Sequence, residues 1–132
     1  VKKLPSDDGL KEVELSKLPK GMSLYIDMDN IEVGEDYVTR TWFVARSKSG
    51  AYNATYEGLR CSDKTYKIYA YYNPKRGTPL RKIEFPKWKT PRSHGYRAEL
   101  MEDAVCSDTR PADVYEIADN LQKQASTYDA PY

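Results

Sequence analysis

Few side chains in this sequence have the type and spacing that catalysis requires. His94 is the only histidine, and no Gly-x-Ser-x-Gly motif accompanies it, so a Ser-His-Asp site is not indicated. One histidine and two cysteines cannot supply a closed zinc site. The acids at 27–30 lack the glycine and the distal glutamate of an EF-hand loop. We therefore predict no catalytic residue, no metal and no cofactor.

Glu57 is the acid with the most unusual predicted setting, because it lies inside a predicted central strand next to Tyr56 and Gly58. The first interpretation pairs its carboxylate across the sheet with one of three arginines, Arg40, Arg46 or Arg60. The alternative makes it one of the paired carboxylates of a small hydrolase. A catalytic acid would lie in a concave pocket and have a perturbed pKa.

The strongest candidate for binding is a basic segment between residues 75 and 97. Basic side chains alternate there with aromatic ones, and the candidate binding residues are Lys75, Arg76, Arg81, Lys82, Lys87, Trp88, Lys89, Arg92, Tyr96 and Arg97. Cations attract an anionic partner and flat rings stack on it. The segment thus predicts contact with an anionic glycan, a lipid headgroup or an acidic protein patch. The alternative is that the acidic C-terminal helices fold back over it.

Charge is segregated along the chain, although the net charge is only +1. Residues 36–97 carry fourteen Lys or Arg against four acids, a net charge of +10. Residues 1–35 and 98–132 have net charges of −3 and −6. The middle of the chain is therefore the part that attracts anionic partners.

The elements that position these residues follow from the spacing of apolar side chains. We predict strands at 38–46, 54–60, 65–72 and near 80–85, and short strands around residues 13–15 and 24–26. Beyond Pro91 the period becomes helical, and two stripes consist of Leu100, Met101, Ala104 and Val105, then of Val114, Ile117, Ala118 and Leu121. Asp108 or Thr109 is predicted to cap the second helix, with Pro111 in its first turn.

This pattern predicts one α+β domain at 10–123, with a flexible leader at 1–9 and a flexible tail at 124–132. Its core is an antiparallel β-meander of about five to six strands, with two C-terminal helices packed on one face. No apolar run approaches the roughly 20 residues that span a bilayer. Cys61 and Cys106 are interpreted as one disulfide, with two buried free thiols as the alternative. Such a bond persists only in an oxidising compartment.

A longer pattern is more specific than any of these motifs. It comprises Ala45-Arg46-Ser47, Gly50 and Glu57-Gly58-Leu59-Arg60-Cys61, with Tyr25-Ile26-Asp27 before it and Tyr96 to Cys106 after it. In these residues the chain resembles the cryptic neisserial protein-like (CNP1-like) family, over about residues 10–122. Members are small exported proteins of Gram-negative bacteria, often lipoproteins. The resemblance implies a periplasmic or outer-membrane location and supports the Cys61–Cys106 bridge, but it implies no reaction.

We therefore expect a non-enzymatic envelope protein that binds or supports another component, with an anionic glycan or an envelope protein as partner. Nucleic acid is not an expected partner there. The runner-up is a small carboxylate-dependent hydrolase acting on a cell-envelope substrate. Val1 in place of Met fits a chain whose signal segment is missing.

Overall fold

The computed structural model describes the backbone of residues 3–129 and the side chains of residues 3–124. Its strands are β1 (Leu10–Val13), β2 (Met22–Asp27), β3 (Glu32–Val33), β4 (Val38–Ser47), β5 (Tyr52–Arg60), β6 (Thr65–Tyr72) and β7 (Leu80–Lys82). Within the described range these seven form one antiparallel sheet in the order β1-β2-β4-β5-β6-β7. β3 pairs with the part of β4 that β2 leaves free. The sheet therefore has one strand more than the upper predicted number. The additional strand is β3, whose two residues are too few to produce a visible alternation in the sequence.

The helical part follows the sheet in the chain. Helix α1 (Tyr96–Leu100) continues directly into a π-helical turn (Met101–Val105), and a small hairpin of β8 (Cys106–Ser107) and β9 (Arg110–Pro111) leads to helix α2 (Val114–Asp129). Residues 130–132 of the predicted tail lie outside the described residues. Among the helices of the described chain, none has the length and apolar character needed to cross a membrane.

The main core lies between the sheet and these helices. Strand residues such as Leu24, Ile26 and Leu59 pack with the predicted helical stripes, and the buried members from the helices are Leu100, Met101, Ala104, Val105, Ile117 and Leu121. A disulfide joins Cys61, just after β5, to Cys106, with Cα atoms 5.6 Å apart. The predicted α+β class, the two helices on one face and the Cys61–Cys106 bridge are confirmed.

The opposite face of the sheet carries a second, mostly aromatic cluster. Trp42 is completely buried there among Val44, Ala54, Tyr56 and Ala70, as the alternation in β4 predicts. Part of the cover comes from the predicted leader. The Trp42 indole N–H donates a hydrogen bond to the Lys3 carbonyl at 2.8 Å, and Asp7 pairs with Arg46 at 2.6 Å.

A β-bulge changes which side chains share a face of β6. The register with β5 shifts between Tyr56 and Glu57, and Tyr69 is left without a partner in the ladder. Strict alternation predicts Ala70 and Tyr72 on the face of Tyr66, but both join Tyr69 in the aromatic cluster. This correction follows from the extra residue, which moves every later side chain to the other face.

Gly58 lies inside β5, and a glycine within a strand is typical of a bulge or of a close approach of another group. A Cβ at Gly58 would lie only 2.8 Å from the Tyr69 hydroxyl. The glycine thus permits a close approach of that side chain, while the bulge itself lies nearby in the β5–β6 pairing.

The start of α2 differs from the prediction. Asp113, rather than Asp108 or Thr109, caps the helix, since its carboxylate accepts a hydrogen bond from the Glu116 N–H at 2.9 Å. The Glu116 carboxylate in turn accepts one from the Asp113 N–H at 3.1 Å. This reciprocal pair is a capping box. Pro111 accordingly belongs to β9 and not to the first helical turn.

Candidate functional site

The basic segment runs along the outer edge of β6 before it reaches α1. β7 pairs with residues 70–72, the Ile83 N–H donates to the Tyr69 carbonyl at 2.8 Å, and Lys89 exchanges two backbone hydrogen bonds with Tyr66. The ten predicted binding residues are therefore spread along one edge. They form three groups: Lys75, Arg76 and Arg81; Lys82, Lys87, Trp88 and Lys89; and Arg92, Tyr96 and Arg97.

Arg76 and Arg81 of the first group line a cleft of about 480 Å³ at the turn between β6 and β7, which we call the hairpin cleft, and Lys75 is not part of its lining. The lining side chains best suited to binding are Asn53, Tyr71, Asn73, Arg76, Thr78 and Arg81. None of the ten residues that line this cleft is Asp or Glu. The cleft thus combines two guanidinium groups, an aromatic ring and two amides without a carboxylate to compete for the cations.

The backbone of the turn holds this cleft in shape. Asn73 donates its N–H to the Pro79 carbonyl at 2.9 Å and accepts the Arg76 N–H at its own carbonyl at 3.1 Å. Its side-chain oxygen accepts the Lys75 N–H at 3.0 Å. The Arg81 side chain is held by a cation–π contact, since its guanidinium carbon lies 5.0 Å from the centre of the Tyr71 ring. Both arginines therefore extend from a backbone fixed by hydrogen bonds.

Of the residues that line the cleft, only Arg76 and Arg81 belong to the predicted binding set; Asn53, Tyr71, Asn73 and Thr78 do not. Asn73 belongs to a turn sequence that ends at Gly77, and Asn53 begins the triplet Asn-Ala-Thr, which has the pattern of an N-glycosylation acceptor rather than of a ligand site. Tyr71 is placed on the face opposite Tyr66 by strict alternation, whereas the bulge puts it directly opposite Thr55. The bulge is the signal that was missing for the facing of Tyr71, because the shifted register turns this side chain to the face of Tyr66. Its place beside Arg81 follows from the pairing of β6 with β7.

In the second group, Trp88 is already engaged by cations of the same chain. The charged ends of Arg60 and Lys67 lie 4.1 and 4.5 Å from the centre of its ring. Arg60 also donates two hydrogen bonds to Asp63, at 3.0 and 2.7 Å. The hydrogen bonds from Arg60 lower the pKa of Asp63 to about 2. Lys82, Lys87 and Lys89 are exposed around this assembly.

The third group lines a smaller pocket of about 330 Å³ that also includes Lys17 and Tyr66. Arg97 is not a free cation there, since it donates to both carboxylate oxygens of Glu57 at 3.0 and 2.9 Å. The rings of Tyr66 and Tyr96 lie 4.4 and 5.1 Å from its guanidinium carbon. Burial opposes the charged form, but the hydrogen bonds to Glu57 keep the pKa of Arg97 above its ordinary value. Burial also opposes the charged form of Tyr96, which for a phenol raises the pKa.

The partner of Glu57 is thus a correction to the sequence prediction. Glu57 is only 2 % exposed, and its carboxylate also accepts a hydrogen bond from the Thr55 hydroxyl at 2.6 Å. The three arginines proposed as partners bind other carboxylates: Arg40 binds Asp36, Arg46 binds Asp7 and Arg60 binds Asp63. Glu57 faces the helical side of the sheet, where α1 supplies Arg97, forty residues further along the chain.

The acidic C-terminal helix lies away from the basic segment. α2 contacts β1 and the π-helical turn, at the opposite edge of the sheet from β7. Within the described side chains, no ion pair joins an acid of α2 to a cation of the basic segment. The hairpin cleft and the edge lysines therefore keep their charge available to an external partner.

Comparison with known proteins identifies one relationship. The sequence model of the CNP1-like family matches residues 2–122, which is nearly the whole chain. Neither a curated protein nor a solved structure matches the chain.

Proposed function

The chain belongs to the CNP1-like family, and from this premise we propose that it is a non-enzymatic binding protein of the bacterial cell envelope. Its ligand is an anionic glycan held in the hairpin cleft. The carrying observation is that Arg76 and Arg81 converge on a cleft of about 480 Å³ whose lining contains no acid. The exposed lysines further along the same sheet edge add positive potential that draws an anionic ligand towards the site.

The chemistry of the cleft suits a carboxylated, phosphorylated or sulfated sugar. Guanidinium groups bind such anions through two parallel hydrogen bonds. The Tyr71 ring offers a flat surface beside Arg81, and the amides of Asn53 and Asn73 can bond sugar hydroxyls. A protein partner with an acidic patch would use the same cations, but it would not require a concave site.

The disulfide supports an envelope location, in the periplasm or at the outer membrane. Cys61 is fully buried and Cys106 is nearly so, and a bond of this kind persists only in an oxidising compartment. The hydrolase alternative has less support. Arg97 donates to both carboxylate oxygens of Glu57, and the Thr55 hydroxyl donates to one of them. This is the arrangement of a structural ion pair.

The test measures binding of the complete chain to a polyuronate and to neutral dextran by calorimetry. We expect binding to the polyuronate alone, with an affinity that falls as salt rises. Replacing Arg76 and Arg81 by Gln should weaken it at least tenfold, because a charged hydrogen bond contributes about 1.5–3 kcal/mol.

The matched control replaces two exposed lysines on other turns, Lys20 and Lys48, by Gln. This double variant has the same net charge as the cleft variant, so its affinity should stay close to that of the unmodified chain. Equal losses in the two variants would show that only net charge matters and would refute a site in the hairpin cleft. Equal affinity for dextran would refute the anionic ligand.

A further inference from the structure

The middle of the basic segment leaves the sheet edge as a short loop that is tied down at both ends. Ile83 is attached to Tyr69 by one backbone hydrogen bond, and Lys89 is attached to Tyr66 by two. The residues between them, 84–88, form what we call the edge loop. Because both ends are anchored on β6, the loop presents its side chains in a defined direction from a rigid sheet.

Phe85 in this loop is 77 % exposed. An exposed phenyl ring has no polar atom to compensate it in water, and its transfer to an apolar phase is favourable. Tyr37 and Tyr115 are as exposed, but each has a hydroxyl that water can bind. Phe85 is therefore the exposed ring on the described surface that gains most from an apolar environment.

Lysines precede and follow Phe85 in the sequence. Lys82, Lys87 and Lys89 are exposed, and no ion pair reaches them within the described side chains. Trp88 in the same loop lies beneath Arg60 and Lys67. Glu84 is the one acid between residues 80 and 90. An exposed apolar ring with lysines and a tryptophan beside it in the chain is the combination of side chains found on surfaces that enter a membrane interface.

We propose that the edge loop docks this protein on an anionic phospholipid surface. Phe85 enters the boundary between headgroups and acyl chains, and the three lysines bind phosphate groups in the headgroup layer. A glycan suits this loop less well, because the exposed Phe85 ring offers no hydrogen bond to a sugar hydroxyl. The inference is independent of the hairpin cleft, since it rests on different side chains.

The experiment is co-sedimentation of the complete chain with vesicles of phosphatidylglycerol and phosphatidylcholine, compared with phosphatidylcholine alone. We expect binding to the anionic vesicles only, with weaker binding at higher salt. Phe85→Ser should weaken it about tenfold. Replacing Lys82, Lys87 and Lys89 by Gln should weaken it by roughly a hundredfold, since each lysine near an anionic surface contributes about fivefold.

The matched control is Tyr115→Ser, which removes an equally exposed ring from α2 and should leave vesicle binding unchanged. Absence of binding to the anionic vesicles, or equal binding by Phe85→Ser and the unmodified chain, would overturn the proposal. The polyuronate assay separates it from the proposed function, because Phe85→Ser should keep its affinity for the polyuronate. Parallel loss of both affinities would place Phe85 in the glycan site and overturn docking on lipid.

Discussion

Arg97 shows how far the role of a single side chain depends on its surroundings. In the sequence it is one more cation of the basic segment. In the structure its side chain is 20 % exposed and that of Glu57 only 3 %. Two hydrogen bonds and two tyrosine rings hold the pair. Removing one partner would leave a poorly hydrated charge behind, and this makes the pair more important for stability than an exposed ion pair.

We therefore expect Glu57→Ala to lower the free energy of unfolding by about 3 kcal/mol, because the Arg97 guanidinium loses its partner. Asp63→Ala is the control. It removes the surface partner of Arg60. The side chains of Asp63 and Arg60 are 48 % and 32 % exposed, so the free energy of unfolding should fall by less than about 1 kcal/mol. Urea unfolding followed by circular dichroism measures both. Similar losses in the two variants would contradict a special role of the buried pair.

Tyr37 illustrates backbone strain at a single residue. Its φ angle is 62°, a left-handed conformation that costs a bulky residue about 1–2 kcal/mol. Hydrogen bonds impose this angle: the Tyr37 N–H binds the Gly34 carbonyl, and Asp36 accepts from the Val38 N–H and from Arg40. The ring itself is 72 % exposed, so little packing compensates the strain.

Tyr37→Asn should accordingly raise the free energy of unfolding by about 1 kcal/mol, since asparagine adopts the left-handed region more readily. The comparison is Tyr115→Asn, an equally exposed position with helical backbone, where the same change should be neutral or slightly destabilising. Thermal unfolding of the two variants decides the matter. A lower midpoint for Tyr37→Asn would mean that the tyrosine ring stabilises the turn through contacts that outweigh the strain.

At the scale of elements, the ends and irregularities are what local patterns describe least well. β6 spans the eight residues that alternation predicts, but its bulge exchanges the faces of its second half. α2 has the predicted apolar stripe, but its capping box begins at Asp113, two residues beyond Pro111. The Asp113-x-x-Glu116 spacing is visible in the sequence. The helix begins at this pair rather than at Asp108, because the Asp113 and Glu116 side chains each accept a hydrogen bond from the backbone N–H of the other residue.

Asp113→Ala should lower the free energy of unfolding by about 1 kcal/mol, the usual effect of losing an N-cap. Asp119→Ala removes an exposed acid from the interior of the same helix and should change stability by less than about 0.5 kcal/mol. Chemical denaturation of both variants provides the measurement. If the Asp119 variant were the less stable of the two, the helix would not depend on this cap.

At the scale of the whole molecule, the disulfide joins the two layers of the main core. Cys61 follows β5 in the sheet, while Cys106 directly follows the π-helical turn as the first residue of β8, at a sequence separation of 45. A bond that closes a loop of this length restricts the unfolded chain more than the folded one. The helical layer on the sheet is thus stabilised by core packing and by this covalent link together.

Replacing Cys61 and Cys106 by Ala should lower the free energy of unfolding by about 4 kcal/mol according to the loop-entropy relation. The unmodified chain should lose a similar amount when it is measured in a reducing agent. Guanidinium unfolding with and without the reductant makes the comparison. Unchanged stability in both cases would show that core packing alone holds the helices on the sheet.

The sequence by itself determined the six longer strands, the helical stripes and the α+β class, because these depend on local periodicity. It favoured a disulfide between its two cysteines, and the structure showed the bond. Tertiary structure decided what lies far apart in the chain: the Glu57–Arg97 pair, the convergence of Arg76, Arg81 and Tyr71, and the position of α2 away from the basic segment. The physical reason is that a single extra residue in β6 reverses the facing of its later side chains, and no short-range pattern reports which distant elements then meet.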